Sequence, residues 1–270
     1  MAGRERIRVA AAQYPLDRLA TPEEAECKLS AWVARGALTG AELLVFPEYG
    51  AMELAATRGE AAAASLDASL AAVSDSLPRI DALHAALARR HRIHILAASG
   101  PSRRPDGRHV NAARLFSPAG NHVVIEKRMM TPFERDWGVV PGAPLAVIET
   151  SLGRLGVAIC YDCEFPLLVR PLAEAGAEVV PQPCGTPRRA PAVDLNTGAA
   201  GIFVPAEAGL SETGVVAEGR LDEPGWVTGE VDLAALRRLR SGGEMRNRID
   251  WDAQPGAVSA RAKAEVVRLD

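Results

Sequence analysis

The chain predicts a mixed α+β or α/β domain, because short apolar runs of strand character are interleaved with amphipathic helical stretches. Two observations carry this. Ile7 to Tyr14 alternates and is followed by a helix start, Thr21-Pro22-Glu23-Glu24. Leu66, Leu70, Val73, Leu77, Ile80, Leu83 and Leu87 then recur at three- and four-residue steps, the period of one helix face. The 270 residues show no repeat and no low-complexity linker, so they read as a single domain, 1–270.

Taken in order, Ile7 to Tyr14 is a strand. Thr21 caps a helix to about Arg35, with Pro22 at its first position. Ala41 to Phe46 is a short buried strand ending in Pro47-Glu48-Tyr49-Gly50. The long helix follows, and Pro78 should kink or divide it. Ile93 to Ala98 is another strand. Asn111 to Phe116 and His122 to Lys127 flank a Ser-Pro-Ala-Gly-Asn turn and predict a hairpin. Leu145 to Glu149 and Gly153 to Ile159 suggest a second. Phe165 to Gly176 reads as helix and Ala177 to Pro181 as strand. Gly214 to Glu218 and Trp226 to Val231 are strands, and Asp232 caps a helix to about Arg240. Residues 244–270 are charged and weakly patterned, and read as a tail on a surface or an oligomer contact.

Apolar residues make up 48% of the chain and aromatics only 4%, so Ala, Leu and Val must fill most of a soluble core. The net charge of −3 with no basic stripe argues against nucleic acid as a partner. No apolar run reaches membrane-spanning length, and the first eight residues lack a secretory h-region. A cytoplasmic protein is the expectation, with its four cysteines as free thiols.

Three side chains stand out at strand ends. Cys160 closes the apolar run Leu155 to Ile159, and in open α/β sheets that edge is where ligands bind. A thiol there is a candidate nucleophile, although buried free cysteine is also common and inert. Cys160-Tyr161-Asp162-Cys163 has the spacing of a redox pair or half a zinc site, but no second such motif and no nearby histidine accompany it. Glu48 is either an exposed loop carboxylate or, desolvated by Phe46 and Tyr49, a general base. Lys127 would ordinarily be a solvated strand cap. Yet only Lys28, Lys127 and Lys263 are lysine among 31 basic residues, and a compact ammonium suits a developing oxyanion.

Leu-Leu-Val-Phe-Pro-Glu (43–48), Glu-Lys-Arg-Met-Met-Thr-Pro-Phe-Glu (126–134) and Gly-Val-Ala-Ile-Cys-Tyr-Asp-Cys-Glu-Phe-Pro (156–166) resemble, in order, the three signature segments of the nitrilase superfamily of carbon–nitrogen hydrolases. The resemblance runs from Arg8 to about Trp251. It implies a four-layer α-β-β-α sandwich and a Glu-Lys-Cys set: Glu48 as base, Lys127 as oxyanion stabiliser, Cys160 as nucleophile. Glu134 falls where a second active-site glutamate often sits, and the Tyr161 backbone N–H would complete the oxyanion site. The implied chemistry is cleavage of a small amide or carbamoyl compound through a thioester, with no metal or cofactor. Cys160-Tyr161-Asp162 resembles the amidase-type branches rather than the nitrile-cleaving ones. The family commonly forms oligomers, so a homo-oligomer is expected. The rival readings are a non-catalytic, truncated relative that acts by binding, and a Cys160–Cys163 redox protein.

The pattern departs from the family after Cys184. The expected helix, with its Arg-Ala-x-Glu-Asn motif, and the strand after it are absent. Thr186-Pro187-Arg188-Arg189-Ala190-Pro191 stands in their place, and matching resumes near Asp194. An internal deletion of a few dozen residues is the reading. Losing a helix would uncover part of a sheet face, and losing a strand would leave unpaired backbone groups and a wider pocket.

Overall fold

The computed structural model describes residues 4–184, 198–243, 249–254 and 264–270. Twelve strands are seen among them: β1 (Arg6–Gln13), β2 (Leu43–Val45), β3 (His94–Leu96), β4 (Gly100–Arg103), β5 (His109–Phe116), β6 (His122–Glu126), β7 (Ala146–Thr150), β8 (Gly153–Gly156), β9 (Gly201–Phe203), β10 (Val215–Glu218), β11 (Gly225–Asp232) and β12 (Glu265–Arg268). The helices are α1 (Pro22–Leu38), α2 (Glu60–Ala64), α3 (Leu66–His91), α4 (Pro132–Asp136), α5 (Pro166–Glu174) and α6 (Leu233–Gly242).

One sheet has the order β11-β1-β2-β3-β5-β4, with β6 also paired to β5. The second has the order β12-β7-β8, and β9 and β10 form a separate pair. Period-two alternation sorts the side chains into layers. From β1 and β2, Ala10, Ala12 and Leu44 face one cluster with Trp32, Val33, Val73, Ile80 and Leu87 of α1 and α3. Ile7, Val9 and Leu43 face the other way, onto Ile148, Leu155, Val157 and Ile159 near the second sheet. Val147 and Ala158 point outward again, onto Leu172 of α5. Strands buried on both faces explain the near-continuous apolar runs. The layers are therefore helix, sheet, sheet, helix.

Local chemistry sets the boundaries. Thr21 accepts the Glu24 N–H at 3.2 Å and caps α1, and Asp232 accepts the Ala235 N–H at 2.7 Å and caps α6. Pro78 does not divide α3, which runs unbroken from Leu66 to His91. An interior proline costs about 3 kcal/mol. The burial of Leu70, Val73, Leu77, Ile80 and Leu87 along that helix offsets it, at roughly 1.5–3 kcal/mol for each large apolar side chain.

Ala177 to Pro181 is extended but forms only an isolated bridge, Val179 with Leu155. Gly156, Ala158 and Cys160 donate their N–H groups to the carbonyls of Val179, Pro181 and Pro183. In a parallel ladder the return bonds would come from the N–H groups of 181 and 183. Both are proline, which has none. No described residue between Ala175 and Gly201 lies in a helix or a named strand. Thr186 to Pro191, where the departure from the family pattern is centred, lies outside the described residues. Within the region read as a tail, β12 pairs parallel with β7, and Leu269 joins the core between the sheets.

Candidate active site

Glu48 follows β2 at a turn held by Ser99, whose N–H donates to the Pro47 carbonyl at 3.2 Å and whose Oγ accepts the Tyr49 N–H at 3.1 Å. Tyr49 there has a left-handed φ of 53°. Lys127 follows β6, and its backbone N–H donates to the Asn111 carbonyl at 2.8 Å. Cys160 follows the Leu155 to Ile159 run and opens a 3₁₀ turn, Cys160–Glu164, with φ 46°. Two non-glycine residues in the left-handed region, at the two turns carrying a carboxylate and a thiol, are strain of the kind that concentrates at functional sites.

The side chains converge in a buried cage. Lys127 Nζ donates to Glu48 Oε1 and to Glu134 Oε2, both at 2.7 Å, and Lys127 and Glu134 are fully buried. The Asn111 amide, on β5, spans the same two carboxylates, with Nδ2 at 3.0 Å from Glu48 Oε1 and 3.1 Å from Glu134 Oε1. This fixes its orientation, since an amide oxygen there would face two carboxylates. Asn111 Oδ1 is left buried and without a partner.

The two carboxylates differ in what surrounds them. Glu134 also accepts the Tyr49 hydroxyl at 2.8 Å, the Thr131 N–H at 2.8 Å and the Thr131 hydroxyl at 2.9 Å. Although burial raises its pKa, Lys127 and these donors hold it below the usual carboxylate range. Glu48 has fewer donors. Burial pushes it well above that range against the pull of Lys127, and the Cys160 and Glu134 charges add to the rise. Burial acts against the Lys127 ammonium, but its two carboxylates raise its pKa.

The Cys160 thiol adjoins Cys184, Glu48 and Lys127, and each acts on its pKa. The Cys184 contact and burial push its thiol up, while Glu48 and Lys127 work the other way, so it rests protonated beside a carboxylate. Its segment is tied to that of Lys127 by Asp162, which is fully buried and accepts the Arg128 N–H at 3.0 Å and the Met129 N–H at 2.7 Å. Removing it in Asp162→Ala strands those donors, at about 1–3 kcal/mol each. The expected result is a lower urea midpoint, together with a slower Cys160 reaction because the two loops lose their common anchor. An unchanged midpoint and rate would sink this role.

All five residues singled out by the sequence, Glu48, Lys127, Glu134, Cys160 and Tyr161, lie at this centre. The Tyr161 N–H is in the first turn of the 3₁₀ segment, where helical N–H groups have no intrahelical acceptor. Cys163 points elsewhere: its thiol donates to the Ala158 carbonyl at 3.6 Å, the carbonyl that Pro183 leaves without a ladder donor. All four cysteines are free. Asn111, Asp162, Cys184 and the Tyr49 hydroxyl are additions from the structure. A Thr-x-x-Glu capping signature at Thr131–Glu134 was legible. Among the described residues no group of three His, Cys, Asp or Glu could hold a metal, and no helix is long and apolar enough to cross a membrane.

A sandwich that gathers a thiol, a carboxylate and an ammonium from three strand ends and a second carboxylate from α4 has the make-up of a hydrolase, and comparison with known proteins gives its class. The chain belongs to the carbon-nitrogen hydrolase family, matching it over residues 8–201. It is 26% identical over 273 residues to the probable hydrolase YhcX of Bacillus subtilis, covering 89% of this chain and 52% of that one. The chain thus spans about half the length of that relative. It is also 30% identical over 187 residues to the bifunctional nitrilase/nitrile hydratase NIT4B of Nicotiana tabacum, covering 64% of this chain and 51% of that protein. Among solved structures, the carbon-nitrogen hydrolase of Helicobacter pylori G27 superposes with a TM-score of 0.64 at 17% identity, covering 93% of this chain and 99% of that one. The amidase of Nesterenkonia sp. AN1, in a mutant with acrylamide added at its active-site cysteine, gives 0.62 at 20%, covering 92% and 100%. These two likenesses establish the shared fold.

Proposed function

We propose that the protein hydrolyses the C–N bond of a small amide through a thioester on Cys160. The observation that carries this is the division of labour between the two buried carboxylates. Glu134 is saturated with donors, whereas Glu48 has fewer, has a raised pKa and adjoins the Cys160 thiol. A base of raised pKa beside a protonated thiol is poised for general-base attack.

As the Cys160 Sγ–carbon bond forms, Glu48 takes the thiol proton and the carbonyl π pair moves to oxygen. Lys127 has three N–H donors, two of them spent on carboxylates, and the third is available to this oxyanion with the Tyr161 N–H. Donors of this kind contribute about 3–4 kcal/mol each. When the C–N bond breaks, Glu48 returns the proton to the departing nitrogen. It then takes a proton from water as the water attacks the thioester, and passes it to sulfur as the C–S bond breaks, releasing the acid and restoring the thiol. The Cys-Tyr-Asp sequence is the ground for preferring an amide to a nitrile; the named relatives include both amidases and nitrilases.

Rapid-quench mass spectrometry with a panel of amides is the test. The expected result is an acyl mass on Cys160 in the wild type, none in Cys160→Ala, and release of ammonia or amine. Turnover that persists in Cys160→Ala would overturn the proposal.

A further inference from the structure

Between the two sheets lies a cavity of about 720 Å³, large for so small a chain and well within the range of ligand pockets. Its floor is the inner face of the main sheet. There Ala11 and its register partner Val45, on two central strands, are only half-buried where a packed sandwich would cover them. Its opposite wall is the extended segment from Glu178 to Cys184, with Ile202 alongside. Cys160 is itself part of the lining, next to Pro183 and Cys184.

Among the described residues, Gln182 lies on the wall, and two other polar side chains of the lining, Gln13 and Glu178, are already engaged. Gln13 Nε2 donates to the carbonyls of Arg220 and Glu223, and its Oε1 accepts the Ala200 N–H. Glu178 is paired with Arg237 and accepts the Arg154 N–H. What is left to a guest is mainly the hydrocarbon of Ala11, Val45, Val179 and Ile202. The described lining therefore rewards apolar area more than charge. It also has direction. The wall register runs from Val179, level with Leu155, to Pro183, level with Cys160. At about 3.3 Å per residue, a guest lying along it extends more than a dozen ångströms from the thiol.

We infer that this cavity holds the acyl chain of the substrate, so that the amides cleaved at Cys160 are those of medium-length and longer unbranched carboxylic acids. The assignment rests on the thioester reading above, and its test separates the two. The probes are straight-chain primary amides from acetamide through butyramide to octanamide and decanamide. The expected result is a kcat/KM that rises at least tenfold from acetamide to octanamide. Ile202→Trp or, independently, Val179→Phe narrows the cavity and removes the rise while leaving acetamide turnover in place. In parallel, Cys160→Ala binds octanamide in a calorimeter with a negative heat-capacity change, and Ile202→Trp in that background weakens the binding at least tenfold.

Hydrolysis of acetamide with a flat or falling chain-length profile overturns the acyl-chain assignment and leaves the hydrolase reading intact. Failure of Cys160→Ala to bind octanamide overturns it whatever the turnover. Binding that responds to Ile202→Trp without turnover of any amide supports the cavity as an acyl site and overturns the hydrolase reading.

Discussion

Replacing Lys127 with methionine is expected to destabilise the protein by about 3–5 kcal/mol and to abolish acylation of Cys160. The ammonium is fully buried and is the cation between Glu48 and Glu134, each 2.7 Å away. Methionine fills similar space but leaves two carboxylates facing each other, with only the Asn111 amide between them. The partner left behind dominates the loss, because an unpaired buried charge is far more costly than an absent pair. A second substitution sharpens the test. Lys127→Met with Glu48→Gln removes one of the two stranded charges and is expected to recover part of the lost stability while remaining inactive. The measurement is urea unfolding, read as a shift in midpoint at constant m. A Lys127→Met midpoint equal to the wild type would show that the cage carries no such charge balance.

Glu48→Gln is expected to separate stability from activity. Loss of a general base typically costs about 10²–10⁴-fold in rate. Stability should behave differently, because the folded protein holds the Glu48 pKa well above its ordinary value. The native state therefore binds more protons than the unfolded chain in the window above the unfolded value of about 4.3. The unfolding free energy contributed by Glu48 is complete below that value and falls as pH rises through the folded one. Glutamine removes this slope. Glu48→Gln should match the wild type at about pH 5 and exceed it at about pH 8, while turnover collapses at both. Glu134 has the opposite sign. Its folded pKa is depressed, so its contribution is present above the unfolded value and lost as pH falls through the folded one. A wild-type urea midpoint that rises between those two pH values, with no difference in Glu48→Gln, would contradict the assignment of the raised pKa to Glu48.

The reasons some parts of this site can be read from sequence, and others cannot, are physical. Glu48, Lys127 and Cys160 each follow an apolar run, and strand ends are where side chains meet ligands in layered α/β folds. The helix caps are equally local, since Thr21 and Asp232 reach only three residues along the chain. Asn111 is different. It lies inside a strand, where asparagine is disfavoured, and its two carboxylate partners are 63 and 23 residues away. Asp162 looks like an ordinary turn acid until the loop after Lys127 is seen folded onto it. Tyr49 gives no sign that its hydroxyl reaches Glu134 from the turn after Glu48. Pro78 misleads in the other direction, because local propensity predicts a break that tertiary burial overrides. The wall from Ala177 to Pro183 combines both effects: its apolar pattern announces a strand, and its prolines withhold two of the hydrogen bonds of one.

That wall, one-sided beside the thiol, bears on motion. Three N–H groups from the Gly156–Cys160 segment hold it, Glu178 and Val179 donate back to the Arg154 carbonyl at its far end, and nothing comes back from Pro181 or Pro183 at the thiol end. Segments secured by fewer hydrogen bonds open locally at free energies well below that of global unfolding. The wall next to the thiol is therefore the easier boundary to displace. The cage of Lys127, Glu48, Glu134 and Asn111 on the other side is held by two buried ion pairs and by the Asn111 Nδ2 hydrogen bonds to both carboxylates. Adjustment to guests of different length then falls on the proline-bearing wall, and the reacting groups keep their distances while the space beside them changes shape.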